Sequence, residues 1–207
     1  MSAPNSQLPD MPKRIPKQQR SKDTVDRIIR AATQIIRRDG FGKFSTNAVA
    51  AKAGVGIASI YEYFEDKDAV LVAVLEREIP ELWSALEERL PRWLESDVDT
   101  ALRDLFSFAV GEIRSRANTV GAAAAYVHGP APLPSAARLL GQIEMLFRLL
   151  LGKFSRRTDR DPALDAYLVT HAFVGIGTGI AAGLPPGKTE NDVVDWLVHV
   201  SKGVLGV

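Results

Sequence analysis

Apolar residues recur at three- and four-residue spacing along most of this chain, and nowhere alternate in twos, so the pattern predicts helices and no strands. The first stripe is Val25, Ile28, Ile29, Ala32, Ile35 and Ile36, which predicts a helix from Asp23 or Thr24 to Arg38. Arg37, Arg38 and Gly40 close it, with positive charge at the negative helix end and then glycine. Phe41 and Phe44 are expected to plug the core behind it. Ser45 can accept a hydrogen bond from free backbone donors and so start a helix at Thr46. Val49 and Ala53 then share a face, and Ala50 is small enough for another helix to cross closely. Gly54-Val55-Gly56 breaks the chain, and Ile57 to Phe64 follows as a further short helix with Ile60 and Phe64 inward. A long helix from about Asp66 to Leu90 is expected to leave this small domain and enter the next, as a lever between the two.

Beyond Pro91 helices are expected near 97–115, 118–128, 133–155, 161–183 and 189–205, with breaks at Asn118, at Gly129-Pro130 through Pro134, at Thr158 to Pro162 and at Leu184-Pro185-Pro186-Gly187. The 161–183 segment is apolar nearly all round, which predicts burial on every side, and Gly175, Gly179 and Gly183 in register allow another backbone to approach. Val193, Trp196, Leu197, Val200 and Val204 form one stripe on the last helix. Two such surfaces exceed what a short monomeric domain needs, so a homodimer through the helices near 161–183 and 189–205 is expected.

Helix, short glycine turn, helix is the layout that sets its second helix in a DNA major groove. The side chains strengthen it. Tyr61 and Tyr63 lie about 200° apart around one short helix, so a single packing face cannot easily bury both rings. A tyrosine hydroxyl reaching outward suits a phosphate oxygen, and Lys67 adds a positive charge beside it. Phosphate contacts are expected from Tyr61, Tyr63 and Lys67, helped by Ser45 and Thr46. Base-edge hydrogen bonds are expected from Asn47 and Ser59, and apolar contact from Ile57 and Ala58, for example with a thymine methyl.

In these residues the chain resembles the tetracycline-repressor-like (TetR) family of transcription regulators. The family pattern appears as Ser45, Val49-Ala50, Ala53-Gly54-Val55-Gly56, Ala58-Ser59, Ile60-Tyr61, Tyr63-Phe64, Lys67 and Leu71, and the upstream helix with its glycine-aromatic bend fits as well. The motif covers roughly Thr24 to Leu75. One departure is Gly56, where the pattern carries serine or threonine, so the recognition helix starts with few side-chain hydrogen-bonding groups. DNA shape is therefore expected to share in selectivity. The resemblance implies a dimer on a palindromic operator and an inducer site between about residues 80 and 180. Trp83, Phe106, Tyr126, Phe147 and His171 are the candidates to line it, being large apolar groups with a few polar tips.

Composition and charge agree. Net charge is +1, but residues 1–68 hold twelve basic and eight acidic side chains against fourteen and seventeen in 69–207. A basic first third suits a DNA-binding head on a body that does not bind DNA. Residues 1 to about 22 carry four prolines with Lys13, Arg14, Lys17, Arg20 and Lys22. They read as a disordered arm, either a solvated leader or a segment following the DNA. The chain has no cysteine, which excludes a disulfide scaffold and thiolate chemistry. Charged residues or histidine interrupt every apolar run long enough to span a membrane, and no signal core is evident, so a cytoplasmic protein without membrane attachment is expected.

Catalysis finds no support. His128, His171 and His199 fall on different expected helices without a partner at ligand spacing, and Gly175 to Gly179 lies inside a helical run with no strand before it. No metal or cofactor is expected. The fold expected is all-α, with an arm (1–22), a three-helix helix-turn-helix domain (23–68) and a helical ligand-binding and dimerisation domain (69–207). The function expected is a repressor released from double-stranded DNA by a small apolar or amphipathic ligand. The alternative is a DNA-binding dimer regulated by, or bridging to, a protein partner.

Overall fold

The computed structural model describes residues 19–127 and 133–207, the side chains of Gln19 and of 125–127 excepted; residues 1–18, and the expected break at Gly129-Pro130, lie outside the described residues. Ten α-helices and a short 3-10 turn make up the described chain, with no strand among the described residues. The chain divides into two compact units, one of residues 1–79 and 122–136, the other of 80–121 and 137–207.

In the first unit, α1 (Gln19–Asp39) begins earlier than Asp23, because Gln19, Arg20 and Lys22 are good helix formers beyond the last proline of the arm. Its expected stripe is the core: Ile28, Ala32, Ile35 and Ile36 are buried, and Val25 and Ile29 pack against them. Gly40, at φ 80°, turns the chain into the 3-10 turn Phe41–Lys43. Here one expectation fails. Phe44 is buried, but Phe41 is 40% exposed, because the tight turn after a left-handed glycine points its ring outward.

The next two helices start and stop as their residues dictate. The Ser45 hydroxyl accepts from the Ala48 N–H at 3.2 Å and opens α2 (Thr46–Ala53). Gly54, at φ 63°, closes α2, and the Val55 N–H donates to the Ala50 carbonyl at 3.1 Å. Helix α3 (Ile57–Tyr63) follows, with Ile60 and Tyr63 buried. Val49, Ala50, Ile60 and Phe64 join the α1 stripe in one core.

Helix α4 (Lys67–Glu87) opens on Asp66, whose Oδ1 accepts from the Ala69 N–H at 2.8 Å, and contains Pro80. Proline has no N–H to give the Glu76 carbonyl, and the boundary between the units falls at this residue. Three consecutive α4 side chains reach other parts of the first unit. Glu76 Oε1 accepts from the N–H of Ser135 at 3.2 Å and from its hydroxyl at 2.8 Å. Arg77 lies 3.5 Å from Asp26, and Glu78 3.0 Å from Arg37 Nε, so α4 is tied to the middle of α1 and to its C-terminal turn. Leu133 and Ala136 are buried in the head's core, with Ala122 and Ala123 packed against it.

The second unit is built on helices α5 (Leu90–Glu95), α6 (Val98–Ser115), α9 (Pro162–Ala182) and α10 (Glu190–Leu205), with α4 from Pro80, the larger part of α8 (Pro134–Phe154) and the start of α7 (Ala117–Val127) up to Gly121. Pro91 does not end helical structure. It sits in the first turn of α5, where its missing N–H costs nothing, and α5 buries Trp93. Asp97 caps α6 through the Thr100 N–H, and Thr189 and Asp192 cap each other's backbone at the start of α10. Ion pairs Arg103–Asp195 (2.6 Å) and Lys202–Asp99 (2.8 Å) join α6 to α10.

Helix α9 is apolar nearly all round, as its sequence predicts. It is long enough, and with a mean hydropathy of 1.3 over an 18-residue window apolar enough, to cross a membrane by length and composition alone, a test that the core helix of a globular protein also passes. Within one chain, 22% of that apolar window is buried. Ala166, Thr170, Gly177 and Ile180 face inward while Leu164, Tyr167 and Leu168 are exposed. The close approach falls at Gly177, where an added Cβ would meet Ile113 Cδ1 at 3.2 Å, whereas Gly175 and Gly179 face open space.

Candidate nucleic-acid interface

The helix-turn-helix sets most of its expected contact residues at the surface. Ser45, Asn47, Gly56, Ile57, Ala58, Tyr61 and Lys67 are exposed, and Thr46 and Ser59 half-buried. The two tyrosines part company as their spacing requires. Tyr61 is 51% exposed, while Tyr63 is 6% exposed and belongs to the core. The Thr46 and Tyr61 hydroxyls lie 3.3 Å apart, so the first residue of α2 and the outer face of α3 present one paired hydroxyl site. Gly56 precedes α3 without a side-chain cap. The backbone donors at that helix start are thus left to solvent or to a ligand's oxygen. Lys67 opens α4, with its ammonium 5.6 Å from the centre of the exposed Phe41 ring.

This arrangement suits a duplex. Hydroxyls and an ammonium hold phosphate oxygens without reading sequence, while Asn47, Ser59 and the apolar Ile57 offer groups that can meet base edges. Two further lysines, Lys43 and Lys52, are exposed on the same unit and add positive charge.

The expected ligand residues are brought together only in part. Phe106 and Phe147 meet through a third ring, Phe173, which the sequence reading did not include. Phe173 stacks on Phe106 at 4.9 Å and lies 5.0 Å from Phe147. The signal for Phe173 was its spacing with Ile176 and Ile180, which places all three on one side of α9. His171 is elsewhere: its ring is 4.4 Å from that of Tyr167, one turn earlier on α9. Trp83 packs at the edge of the second unit's core. The side chain of Tyr126 lies outside the described residues. A groove of about 290 Å³ runs between α8, α9 and α10, lined by Phe147, Leu168, Phe173, Trp196 and Val200, with Arg160 and Asp165 at its rim. Phe106, Trp83 and His171 do not line it. Among the described residues no group of His, Asp and Glu could hold a metal ion.

The first unit carries a helix-turn-helix whose exposed face has the chemistry to meet a DNA duplex. Residues 28–74 match the family model of the bacterial regulatory proteins of the tetR family. No curated protein sequence matches the chain. Solved structures match over nearly its whole length. A putative TetR-family transcriptional regulator from Mesorhizobium loti is 18% identical, with 91% of this chain and 98% of that one covered and a TM-score of 0.66. The fatty acid degradation regulator FadR of Bacillus halodurans is also 18% identical, covering 93% and 97%, with a TM-score of 0.64. The Thermus thermophilus repressor FadR, solved with lauroyl-CoA, is 18% identical, covering 85% and 92%, with a TM-score of 0.58. At this identity the likenesses establish the fold.

Proposed function

We propose that the protein is a homodimeric, sequence-specific repressor that leaves a palindromic operator when a small apolar or amphipathic ligand binds its second unit. The observation that carries the reading is the exposed Asn47, Ile57 and Tyr61 on α2 and α3, with the half-buried Thr46 paired to Tyr61, around a glycine turn. One such helix reads too few bases for tight binding, and two copies about one DNA turn apart would read a palindrome. The exposed apolar face of α9 and α10 supports dimerisation: Leu164, Tyr167, Leu168, Trp196 and Val200 would leave water against a second copy.

The aromatic cluster Phe106–Phe173–Phe147 supports an apolar ligand. The lauroyl-CoA bound by the Thermus regulator makes long-chain acyl thioesters the first class to try. Ligand would act by favouring a dimer whose heads no longer match the operator, to the extent of its differential affinity for the two states. The test is selection of bound fragments from genomic DNA, repeated with Tyr61→Ala. A shared palindrome that is lost in the variant is expected. Fragments without a common motif would instead make the protein an architectural DNA binder.

A further inference from the structure

Phe41 takes no part in the core of the head. Its ring is exposed, turned out by Gly40 at φ 80°, and held on one side by the buried Phe44 ring at 5.6 Å. The Lys67 ammonium stands 5.6 Å from its centre, within the range of a cation–π contact. Lys67 is the first residue of α4, where the helix dipole repels a cation and attracts an anion. Asp66 already caps that end through the Ala69 N–H. A lysine stem is flexible, and holding it in one place before binding removes part of the entropy lost on contact.

We propose that Phe41 is a positioning residue for DNA binding: its ring face holds the Lys67 ammonium beside the recognition surface, ready for a backbone phosphate. The assignment rests on the reading of this surface as a duplex interface. Phe41 acts through Lys67 and touches no base.

The test is a double-mutant cycle on the full chain, with Phe41→Leu, Lys67→Met and the pair, titrated against a random-sequence 30-base-pair duplex over a range of salt. Lys67→Met should flatten the salt dependence by about one unit of slope per protomer. Phe41→Leu should weaken binding about two- to fivefold per protomer, the size of an exposed cation–π contact. It should have no further effect once Lys67 is methionine, and Phe41→Tyr should restore wild-type binding. Equal losses from Phe41→Leu in both backgrounds would mean that the ring only supports the turn, and no loss would mean that it does nothing; either overturns the assignment. An unchanged slope in Lys67→Met removes the phosphate contact and the assignment together. If the wild type does not bind this duplex, the cycle is run on a fragment recovered by the genomic selection, and if that selection recovers none, the DNA reading itself falls, an outcome separate from the others.

Discussion

The hydroxyl of Tyr61 on α3 lies 3.3 Å from that of Thr46 at the start of α2, so two helices of the head share one hydrogen-bonding site at the surface. A phosphate oxygen placed there could accept from one hydroxyl while the two remain bonded to each other. Tyr61→Phe should weaken binding to every duplex by about 0.5–1.5 kcal/mol, the range for one hydrogen bond. Thr46→Val should do much the same, and the double variant should lose less than both losses added. Fluorescence titrations on two unrelated duplexes would check this, and strictly additive losses would break the pairing.

Asn47 is exposed one position further along α2. If it reads a base edge, Asn47→Ala should cost about 1–3 kcal/mol on the best operator and little on others. Binding profiles over a randomised site would show this as one relaxed position. An equal loss on all sequences would reassign Asn47 to the backbone.

Glu78 is 4% exposed and pairs with Arg37, while its Oε2 has no hydrogen-bond partner among the described residues. Arg37→Met would leave that carboxylate buried without its charge partner. A loss of about 1–3 kcal/mol in head stability is expected, at the lower end for such pairs because the Arg37 side chain is partly in water. Arg37→Met combined with Glu78→Leu should recover most of the loss. Urea denaturation of the single and double variants decides it, and two additive losses would show that the pair is not coupled.

Trp196 is 54% exposed on α10 beside Val200, and both line the groove against α9. Trp196→Asp should turn the dimer into monomers in sedimentation at micromolar concentration and weaken operator binding in proportion. A wild-type chain that already sediments as a monomer would end the dimer reading.

Acid should weaken the second unit through two helix caps. Hydrogen bonds from Thr100 to Asp97, and from Thr189 to Asp192, hold both carboxyls below their ordinary value of 3.8. Because the folded values are lowered, the stability these caps contribute is complete above the unfolded value and is lost as pH falls through the folded ones. Asp97→Asn with Asp192→Asn keeps capping oxygens but no titration. Unfolding midpoints of this variant should therefore fall less steeply than those of the wild type below about pH 4. Parallel curves would exclude the caps as a cause.

Much of this fold was legible because the signals were local. Ser45, Gly54 and the Ile28–Ile36 stripe each act within a turn or two of the chain, and the helices near 97–115 and 189–205 lie within a residue of expectation. The failures needed knowledge of backbone angles or distant partners. Phe41 looked like a core residue because an apolar ring is ordinarily worth burying, and only the left-handed Gly40 turns it out. Pro91 looked like a stop because a proline's position within a helix cannot be read before the helix is placed. In the recognition surface, spacing separated the two tyrosines but could not say which faces outward. The Phe106–Phe173–Phe147 stack joins three helices, and no local pattern links them.

Leu133 and Ala136 sit in the head's core although more than fifty residues separate them from its other members. The helix-turn-helix unit is therefore not a cassette that ends at Ile79. A chimaera that grafts residues 1–79 onto another regulator's body would leave that core open where Leu133 belongs, with Glu76 deprived of Ser135. Exchanging specificity between such proteins takes two splices, the second carrying 122–136 with the head. The same dependence means that a substitution at Leu133 or Ala136 would be felt in the core of the head.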